Sequence, residues 1–546
     1  MEKTWFRSWP IDMPKNLVYP EISMGQMLRR ASTHSSARTA IMFRETRLSY
    51  AQLDEYADRF ASGLVEAGVQ KGDRVALFLP NAPQFIISYY GALRVGAIVT
   101  TCSSLYKERE LLYQLKDSES KTIVCPKSSF QTVANILKDS MLSNVVITDD
   151  HDLRPLLDHT DETIQASTED AYCTVTSFRD LLKTPRSKPE VEIVPSRDLA
   201  LLQYTGGTTG IPKGAMITHR NLVANAIQFA TWLKLRHDDT HLVVLPLFHI
   251  YGMTTSMNAP ICSGSTMILV PKFDPSQLLD IIDRHKPTVF CGVPTMYSAL
   301  ANHPDIYRHN VRSIRVCISG AAPLPGEVQR KFEQVTGGRL VEGYGLTESS
   351  PVTHVNPLDD PRKNRIGSIG IPLFDTDAKI LDIETGEEEV ALNELGELVI
   401  RGPQVMMGYC KKSEETENAL RNGWVCTGDI AKMDEDGYFY IVDRKKDMIN
   451  VSGLKVYPRE VEEILYEHPN IREACVVGIP DSYRGERVKA FVVLKDPTNE
   501  TNSDELVTFC RQKIADYKVP SEIEYISQMP KTAAGKILRR ALRQHK

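Results

Sequence analysis

Arg74-Val75-Ala76-Leu77-Phe78-Leu79 is, after its first residue, an unbroken apolar run, and the turn Lys71-Gly72-Asp73 stands directly before it. A run this short, bounded by a turn, reads as a strand buried on both faces. Leu53 to Val65, before it, carries apolar residues at helical spacing. Phe85 to Leu93, after it, does the same, and Ala97-Ile98-Val99 is the next strand. Helix and strand in alternation predict a parallel sheet with crossover helices, an α/β fold. The pattern resumes over 196–300, with strands at Leu199–Tyr204, His241–Leu247 and Val289–Cys291 and helices at Asn221–Leu233 and Ser276–His285.

The texture changes after about residue 365. Ile366 to Val405 has short strands and many turns, which predicts a small antiparallel barrel or sandwich. The acidic run Glu387-Glu388-Glu389 reads as a solvated turn. From Arg444 onward, helices at Glu460–Tyr466 and Asp504–Ala515 and strands at Ala474–Gly478 and Ala490–Leu494 make one small α+β domain. The whole chain of 546 residues asks for roughly three or four domain-sized units.

Composition narrows the function. Apolar residues at 42% and charged residues at 25% exclude wholesale disorder. A net charge of −5 gives no global pull toward nucleic acid. Ten scattered cysteines, with no Cys-x-x-Cys pair, offer neither a zinc ribbon nor a dithiol motif and suit a reducing compartment. The opening residues lack the apolar core of a signal peptide. No stretch approaches the ~18 apolar residues of a membrane span. The expectation is a soluble, cytoplasmic protein without nucleic-acid partners. Peripheral membrane contact and a homodimer are both compatible with it.

The chemistry is concentrated in Tyr204-Thr205-Gly206-Gly207-Thr208-Thr209-Gly210-Ile211-Pro212-Lys213-Gly214, which follows a predicted strand and precedes the helix near Asn221. Four glycines allow close backbone approach to a bulky anion. Successive N–H groups can form an anion-binding concavity. Three threonine hydroxyls and the Lys213 ammonium complete a polyphosphate cradle. The string is not a Walker A loop, which needs Gly before the lysine and Ser or Thr after it. Here Lys213 stands between Pro212 and Gly214.

This string resembles the signature of the adenylate-forming enzymes, a family of acyl-CoA synthetases, aryl-CoA ligases, luciferases and peptide-synthetase adenylation domains. Further motifs similar to that family's follow in order along essentially the whole chain. Pro246-Leu247-Phe248-His249-Ile250-Tyr251-Gly252 resembles the segment that opens the acyl pocket, and the resemblance puts His249 beside the substrate carboxylate. Tyr251, Met253, Thr255 and Val355 are the expected pocket lining, with the apolar core as the competing reading for such side chains. Ser319-Gly320-Ala321-Ala322-Pro323-Leu324 resembles the segment beside adenine, with Ala321 and Ala322 as the contacts. In Glu342-Gly343-Tyr344-Gly345-Leu346-Thr347-Glu348, the resemblance implies that Tyr344 stacks on adenine, Thr347 binds the α-phosphate and Glu348 holds Mg²⁺, with Thr205 as a second metal contact. Thr427-Gly428-Asp429 resembles the ribose-binding tripeptide, with Asp429 accepting from both hydroxyls. Asp443-Arg444-Lys445-Lys446-Asp447 looks like the hinge, where Arg444 and Lys446 serve the nucleotide. Ser452, Gly453 and Lys455 fall where the thiol tunnel of CoA is expected. Pro530-Lys531-Thr532-Ala533-Ala534-Gly535-Lys536 resembles the C-terminal signature, whose lysine, Lys536, bridges carboxylate and α-phosphate.

The resemblance implies a large N-terminal AMP-binding domain over 1–443, built of two α/β lobes (about 1–365) and a small β-barrel (about 366–443), and a small mobile α+β domain over 444–546. It implies an AMP-forming acid–thiol ligase with ATP, Mg²⁺ and CoA as cofactors and co-substrates. Trp5-Phe6-Arg7-Ser8-Trp9-Pro10 resembles the opening of long-chain fatty-acid:CoA ligases, so a medium- or long-chain fatty acid is the expected substrate. An aryl-acid ligase of the 4-coumarate type and a catalytically silent nucleotide-binding homologue are the rival readings.

Overall fold

The computed structural model describes residues 3–149, 152–153, 173–186, 191–205, 212–481, 483–496, 501–532 and 537–543. The expected site residues Gly206, Gly207, Thr208, Thr209, Gly210 and Lys536 lie outside them.

Helix Tyr50–Glu66 opens on a capping box in which Ser49 and Gln52 each satisfy the other's backbone N–H. Helix Pro83–Arg94 starts with proline at its first turn, where a missing N–H costs nothing. Helix Pro83–Arg94 packs on strand Arg74–Leu77 and approaches helix Tyr50–Glu66 so closely that a Cβ on Gly91 would lie 2.7 Å from the Phe60 ring. Their far ends are joined by charge. Buried Arg94 donates to Asp54 and Asp58, which also receive Arg29 and Arg186 from the solvent side.

Arg74–Leu77 pairs in parallel with Ile98–Thr101 on one side and Ser120–Pro126 on the other, as its apolar run predicts. Leu199–Thr205, Asn144–Thr148 and Thr174–Ser177 extend the parallel region. Two antiparallel strands, Lys213–Thr218 and Gly408–Tyr409, close one edge, giving eight strands among the described residues. Here the structure refines the sequence reading. The glycine-rich string does not run from strand straight to helix. Lys213–Thr218 stands between them, and helix His219–Trp232 begins only after it.

A second sheet, nine-stranded among the described residues, has a parallel centre of Arg339–Gly345, Val316–Ser319, Val289–Gly292, Thr240–Val243, Thr266–Leu269 and Thr39–Phe43. The lobes meet at the carboxyl ends of their strands. Asn81, after the first sheet's Arg74–Leu77, donates to the carbonyls of Leu245 and Val270 and accepts from Leu247 N–H. Thr101 and Gln203 both donate to the carbonyl of Phe248. In open α/β sheets, ligands bind in the crevice at these ends.

The turn-rich stretch forms a five-stranded antiparallel sheet: Asp377–Leu381, Gly396–Arg401, Trp424–Met433, Leu420–Arg421 and Phe439–Arg444. The chain's start straps it to the second lobe. Trp9 packs edge-on against Trp232 and Phe374, Lys3 pairs with Asp377, and Arg7 and Ser8 donate to the carbonyls of Glu435 and Asp436. Residues 449–525 carry a separate small sheet with helices Pro458–Tyr466 and Ser503–Arg511 and their own core, including Val461, Leu465, Val476 and Leu506. Among the described residues no helix is long and apolar enough to cross a membrane.

Candidate active site

Thr205 ends its strand directly opposite Lys213, so the two ends of the glycine-rich string are held together by hairpin pairing. The base of that hairpin is braced from helix Glu108–Ser118. Tyr204 donates to Asp117 at 2.6 Å, and Tyr113 donates to the Pro212 carbonyl at 2.9 Å. At Gly214 a Cβ would lie 3.2 Å from the Tyr204 ring, so the hairpin packs tightly there.

Strand Gly408–Tyr409 pairs with the far side of Lys213–Thr218, Tyr409 opposite Ala215. The Tyr409 ring lies under the Lys213 ammonium, 5.2 Å from ring centre to Nζ. Its hydroxyl donates to Glu348 Oε1 at 2.5 Å. Burial, and then the Glu348 charge, hold the Tyr409 phenol far above its ordinary range, so it stays a neutral donor. Lys213, Tyr409 and Glu348 thus form one cluster drawn from three stretches of chain.

Glu348 sits in the turn Thr347–Ser349, which follows strand Arg339–Gly345. The turn is pinned at several points. Leu346 N–H donates to the Pro351 carbonyl, Met406 N–H to the Glu348 carbonyl, the Ser350 hydroxyl to Gln404, and the Thr254 hydroxyl to Ser350. Gly345 is forced: any Cβ there would fall 2.0 Å from the Pro351 carbonyl oxygen. Thr347 and Glu348 are half-buried at the mouth of the crevice.

Four residues back, Tyr344 donates to Asp429 Oδ2 at 2.5 Å. Asp429 and Arg444 face each other across adjacent strands, with Arg444 Nε 3.3 Å from Asp429 Oδ1. Burial, then Asp429, push the Tyr344 phenol well above its usual range. His354, opposite Tyr344 in the sheet, sets its ring edge-on at 5.9 Å. The sequence reading places Tyr344, Asp429 and Arg444 at one nucleotide, and the fold brings these three together. Lys446 lies just beyond them, exposed.

Glu342 is buried, and its carboxyl is pushed up to about 7 by burial, against the pull of Arg459. Gly343 pairs with fully buried Val355. Next to them, Ala321 is held at a φ of +64°, and Gly320 makes room for the Tyr251 ring, which a Cβ would meet at 2.9 Å. Tyr251 itself donates to the carbonyls of Gly292 and Ile318 and laces two parallel strands at their carboxyl ends. His249 caps the short helix Ile250–Met253, its Nδ1 accepting from Tyr251 N–H. Met253 and Thr255 are fully buried, and the Thr255 hydroxyl is turned back onto the Tyr251 carbonyl. Of the expected acyl-pocket residues, His249 is the one least enclosed by the core.

Ser452 and Gly453 form the exposed turn of a hairpin, held by Asn450 and Arg484, and exposed Lys455 stands on its returning strand opposite Asn450. Among the described residues they share no hydrogen bond or ion pair with the nucleotide cluster. Among the described residues no group of three or more acidic, His or Cys side chains is arranged to hold a metal ion. A lone carboxylate such as Glu348, with one oxygen already occupied, fits Mg²⁺, which takes most of its donors from phosphate and water.

Sequence reasoning missed Tyr409. A single aromatic after a glycine carries no local signal, and its partners lie 61 residues upstream at Glu348 and further still at Lys213.

The chain belongs to the AMP-binding enzyme family: the family's pattern matches residues 28–410, and that of its C-terminal domain matches residues 460–536. It is 46% identical over 552 residues to a long-chain-fatty-acid–CoA ligase of Bacillus subtilis, covering 99% of this chain and 98% of that one. It is 38% identical to a ligase of the same description from Salmonella typhimurium, over 100% of this chain and 98% of the other. Among solved structures, an anthranilate CoA ligase in complex with anthranoyl-AMP superposes with a TM-score of 0.86 at 28% identity, covering 97% of this chain and 98% of that one.

Proposed function

We propose that the protein is an ATP-dependent, AMP-forming fatty-acid:CoA ligase. One observation carries the reading: the five-residue stretch from Tyr344 to Glu348 joins a ribose-type cluster, Asp429 and Arg444, to a phosphate-type cluster, Lys213 and Tyr409. A nucleotide laid along that stretch has its α-phosphate beside Thr347. Such placement serves transfer of an adenylyl group.

A carboxylate is a poor electrophile, and its attack on ATP brings two anions together. Lys213, the backbone donors of the glycine-rich string and Lys536 offset that repulsion at the α-phosphorus. Mg²⁺, held by Glu348 with Thr205 as second contact, would add Lewis-acid charge on the phosphates. The carboxylate oxygen bonds to the α-phosphorus and pyrophosphate leaves, giving acyl-adenylate. The CoA thiolate then attacks the acyl carbon, and AMP leaves. Ser452, Gly453 and Lys455 serve this second step, and Lys536 the first. Both sets sit on the 444–546 unit, which turns about Arg444–Lys446 against the 1–443 domain to present each in turn.

The fatty acid as substrate rests on full-length similarity to ligases named for long-chain fatty acids. His249, at the crevice, receives the carboxylate; Tyr251, Met253, Thr255 and Val355 wall the pocket, and Ala321 and Ala322 flank adenine. The ten free cysteines fit the reducing cytoplasm as the site of action.

The test is to incubate the protein with ATP, Mg²⁺, CoA and a panel of fatty and aromatic acids, and follow AMP and pyrophosphate. Fatty chains of C8–C18 should be favoured. Preference for aromatic acids would replace the substrate class, and release of ADP would remove the mechanism.

A further inference from the structure

We propose that Tyr409 is a positioning residue for MgATP, one neutral side chain that holds both charges expected to grip the phosphates. This rests on the reading of the site as an adenylate-forming centre and assigns a role to a residue that reading leaves unused.

The argument begins with how Tyr409 is fixed. Its backbone is paired with Ala215, and the flanking residues bind the same strand, Met407 N–H donating to Met216 and Cys410 N–H to Gly214. Its own N–H donates to the Thr416 hydroxyl. Lys411, two residues on, pairs with Glu119 at the end of the helix that braces the hairpin. The side chain therefore projects from an anchored segment, and both ends of it are used. The ring face carries the Lys213 ammonium, and the hydroxyl donates to Glu348 Oε1.

Each contact has a separate consequence. A lysine is a point charge on a flexible four-carbon stem, and an aromatic face restricts where that charge sits. A carboxylate has two oxygens, and a donor fixed on Oε1 leaves Oε2 as the donor for a cation. The same hydroxyl orients the carboxylate before metal arrives, as outer partners of metal ligands commonly do. A phenylalanine retains the ring and loses the hydroxyl; a leucine loses both. The two contacts can thus be removed one after the other.

The experiment is equilibrium ATP binding by titration calorimetry, with saturating Mg²⁺ and with EDTA, on the full chain and its Tyr409→Phe, Tyr409→Leu and Glu348→Gln variants. Tyr409→Phe should weaken MgATP about tenfold, the size of one hydrogen bond to a charged group, and leave Mg²⁺-free ATP unchanged. The Mg²⁺ concentration for half-maximal binding should rise in step. Tyr409→Leu should weaken Mg²⁺-free ATP as well, because Lys213 is released. In a Glu348→Gln background, Tyr409→Phe should have no further effect on MgATP, the signature of two groups acting as a unit. In turnover, the KM for MgATP should rise and that for the acid stay constant.

Equal weakening of both forms of ATP by Tyr409→Phe, or an undiminished effect in the Glu348→Gln background, would reduce Tyr409 to a packing residue and overturn the proposal. So would wild-type MgATP binding by Tyr409→Phe. Should the unmodified protein bind MgATP but release no AMP with any acid, the ligase reading fails while the Tyr409 inference stands. Should it be an active ligase whose Tyr409→Phe variant binds MgATP normally, only the inference fails.

Discussion

Asp429 has two tasks that a single carboxylate can perform together. It accepts from Tyr344 on one oxygen and faces Arg444 with the other, so it fixes an aromatic ring and a guanidinium at once. Asp429→Ala should raise the KM for ATP roughly tenfold to a hundredfold, the loss of one or two charge-assisted hydrogen bonds. The acid's KM should stay within experimental error, and thioester formation from supplied acyl-adenylate should also suffer, since AMP is part of that substrate. Steady-state kinetics with ATP and acid varied in turn would check it. A change confined to the acid's KM would separate Asp429 from the nucleotide. Gly345 shows the complementary case of a residue that acts through absence. Its neighbour Pro351 occupies the space of a side chain, and the turn bearing Thr347 and Glu348 depends on that closeness.

At the scale of elements, helices Tyr50–Glu66 and Pro83–Arg94 are joined by an ion cluster rather than by apolar packing alone. Arg94 and Asp58 are both buried, and burial alone would raise the Asp58 carboxyl; the guanidiniums of Arg29, Arg94 and Arg186 outweigh it and hold the group below the ordinary carboxylate range. Arg94→Ala leaves two carboxylates with guanidiniums on the solvent side only. It should cost about 3–5 kcal/mol, the cost of breaking a buried pair from one side. Urea unfolding monitored by circular dichroism measures it. A loss under about 1 kcal/mol would mean the cluster behaves as a surface bridge. The hairpin Leu199–Thr205 with Lys213–Thr218 also belongs at this scale. The sequence announces the first strand and the helix after the second, but Lys213-Gly214-Ala215-Met216-Ile217-Thr218 has no clear alternation. Its strand character comes from pairing on both sides, with Leu199–Thr205 and Gly408–Tyr409.

For the molecule as a whole, buried titratable groups set the response to pH. Burial lowers His219 to about 4 and His241 and His354 to about 3. These take up protons on unfolding below their ordinary 6.5, so their contribution is full above that value and is lost as pH falls. Glu342, raised to about 7, and Asp152 and Asp443, each raised to about 6, all chiefly by burial, act with the opposite sign. They hold protons in the folded state that the unfolded chain releases, so they favour folding less as pH rises. Between pH 4.5 and 6 the three acids offset the three histidines almost proton for proton. Stability from these groups should therefore change by well under the ~1.4 kcal/mol per pH unit that one unmatched proton gives. Thermal melts across that range should be nearly level, and His241→Asn should make stability fall as pH rises; an unchanged slope would mean that His241 is not buried neutral.

The proposed turning of the 444–546 unit belongs to the same scale. Lys536→Ala should cripple adenylate formation and spare thioester formation from supplied acyl-adenylate, assayed separately as pyrophosphate release and acyl-CoA formation. Equal loss in both would contradict the division of labour between the two faces of the small domain.

The sequence alone determined the parallel centre of the sheets, because short apolar runs between amphipathic helices can be buried in few other ways. It also determined the order of the nucleotide motifs, because glycine, threonine and lysine at that spacing have few other uses. Tertiary structure alone decided which of those residues meet. Tyr344 and Asp429 lie 85 residues apart, and Tyr409 finds Glu348 and Lys213 from a segment with no motif of its own. It decided, too, that Tyr251 and Thr255 direct their hydroxyls to backbone carbonyls. The reason is physical: burial and hydrogen bonding are properties of the closed chain, and a side chain's partners are set by the sheet register that carries it there.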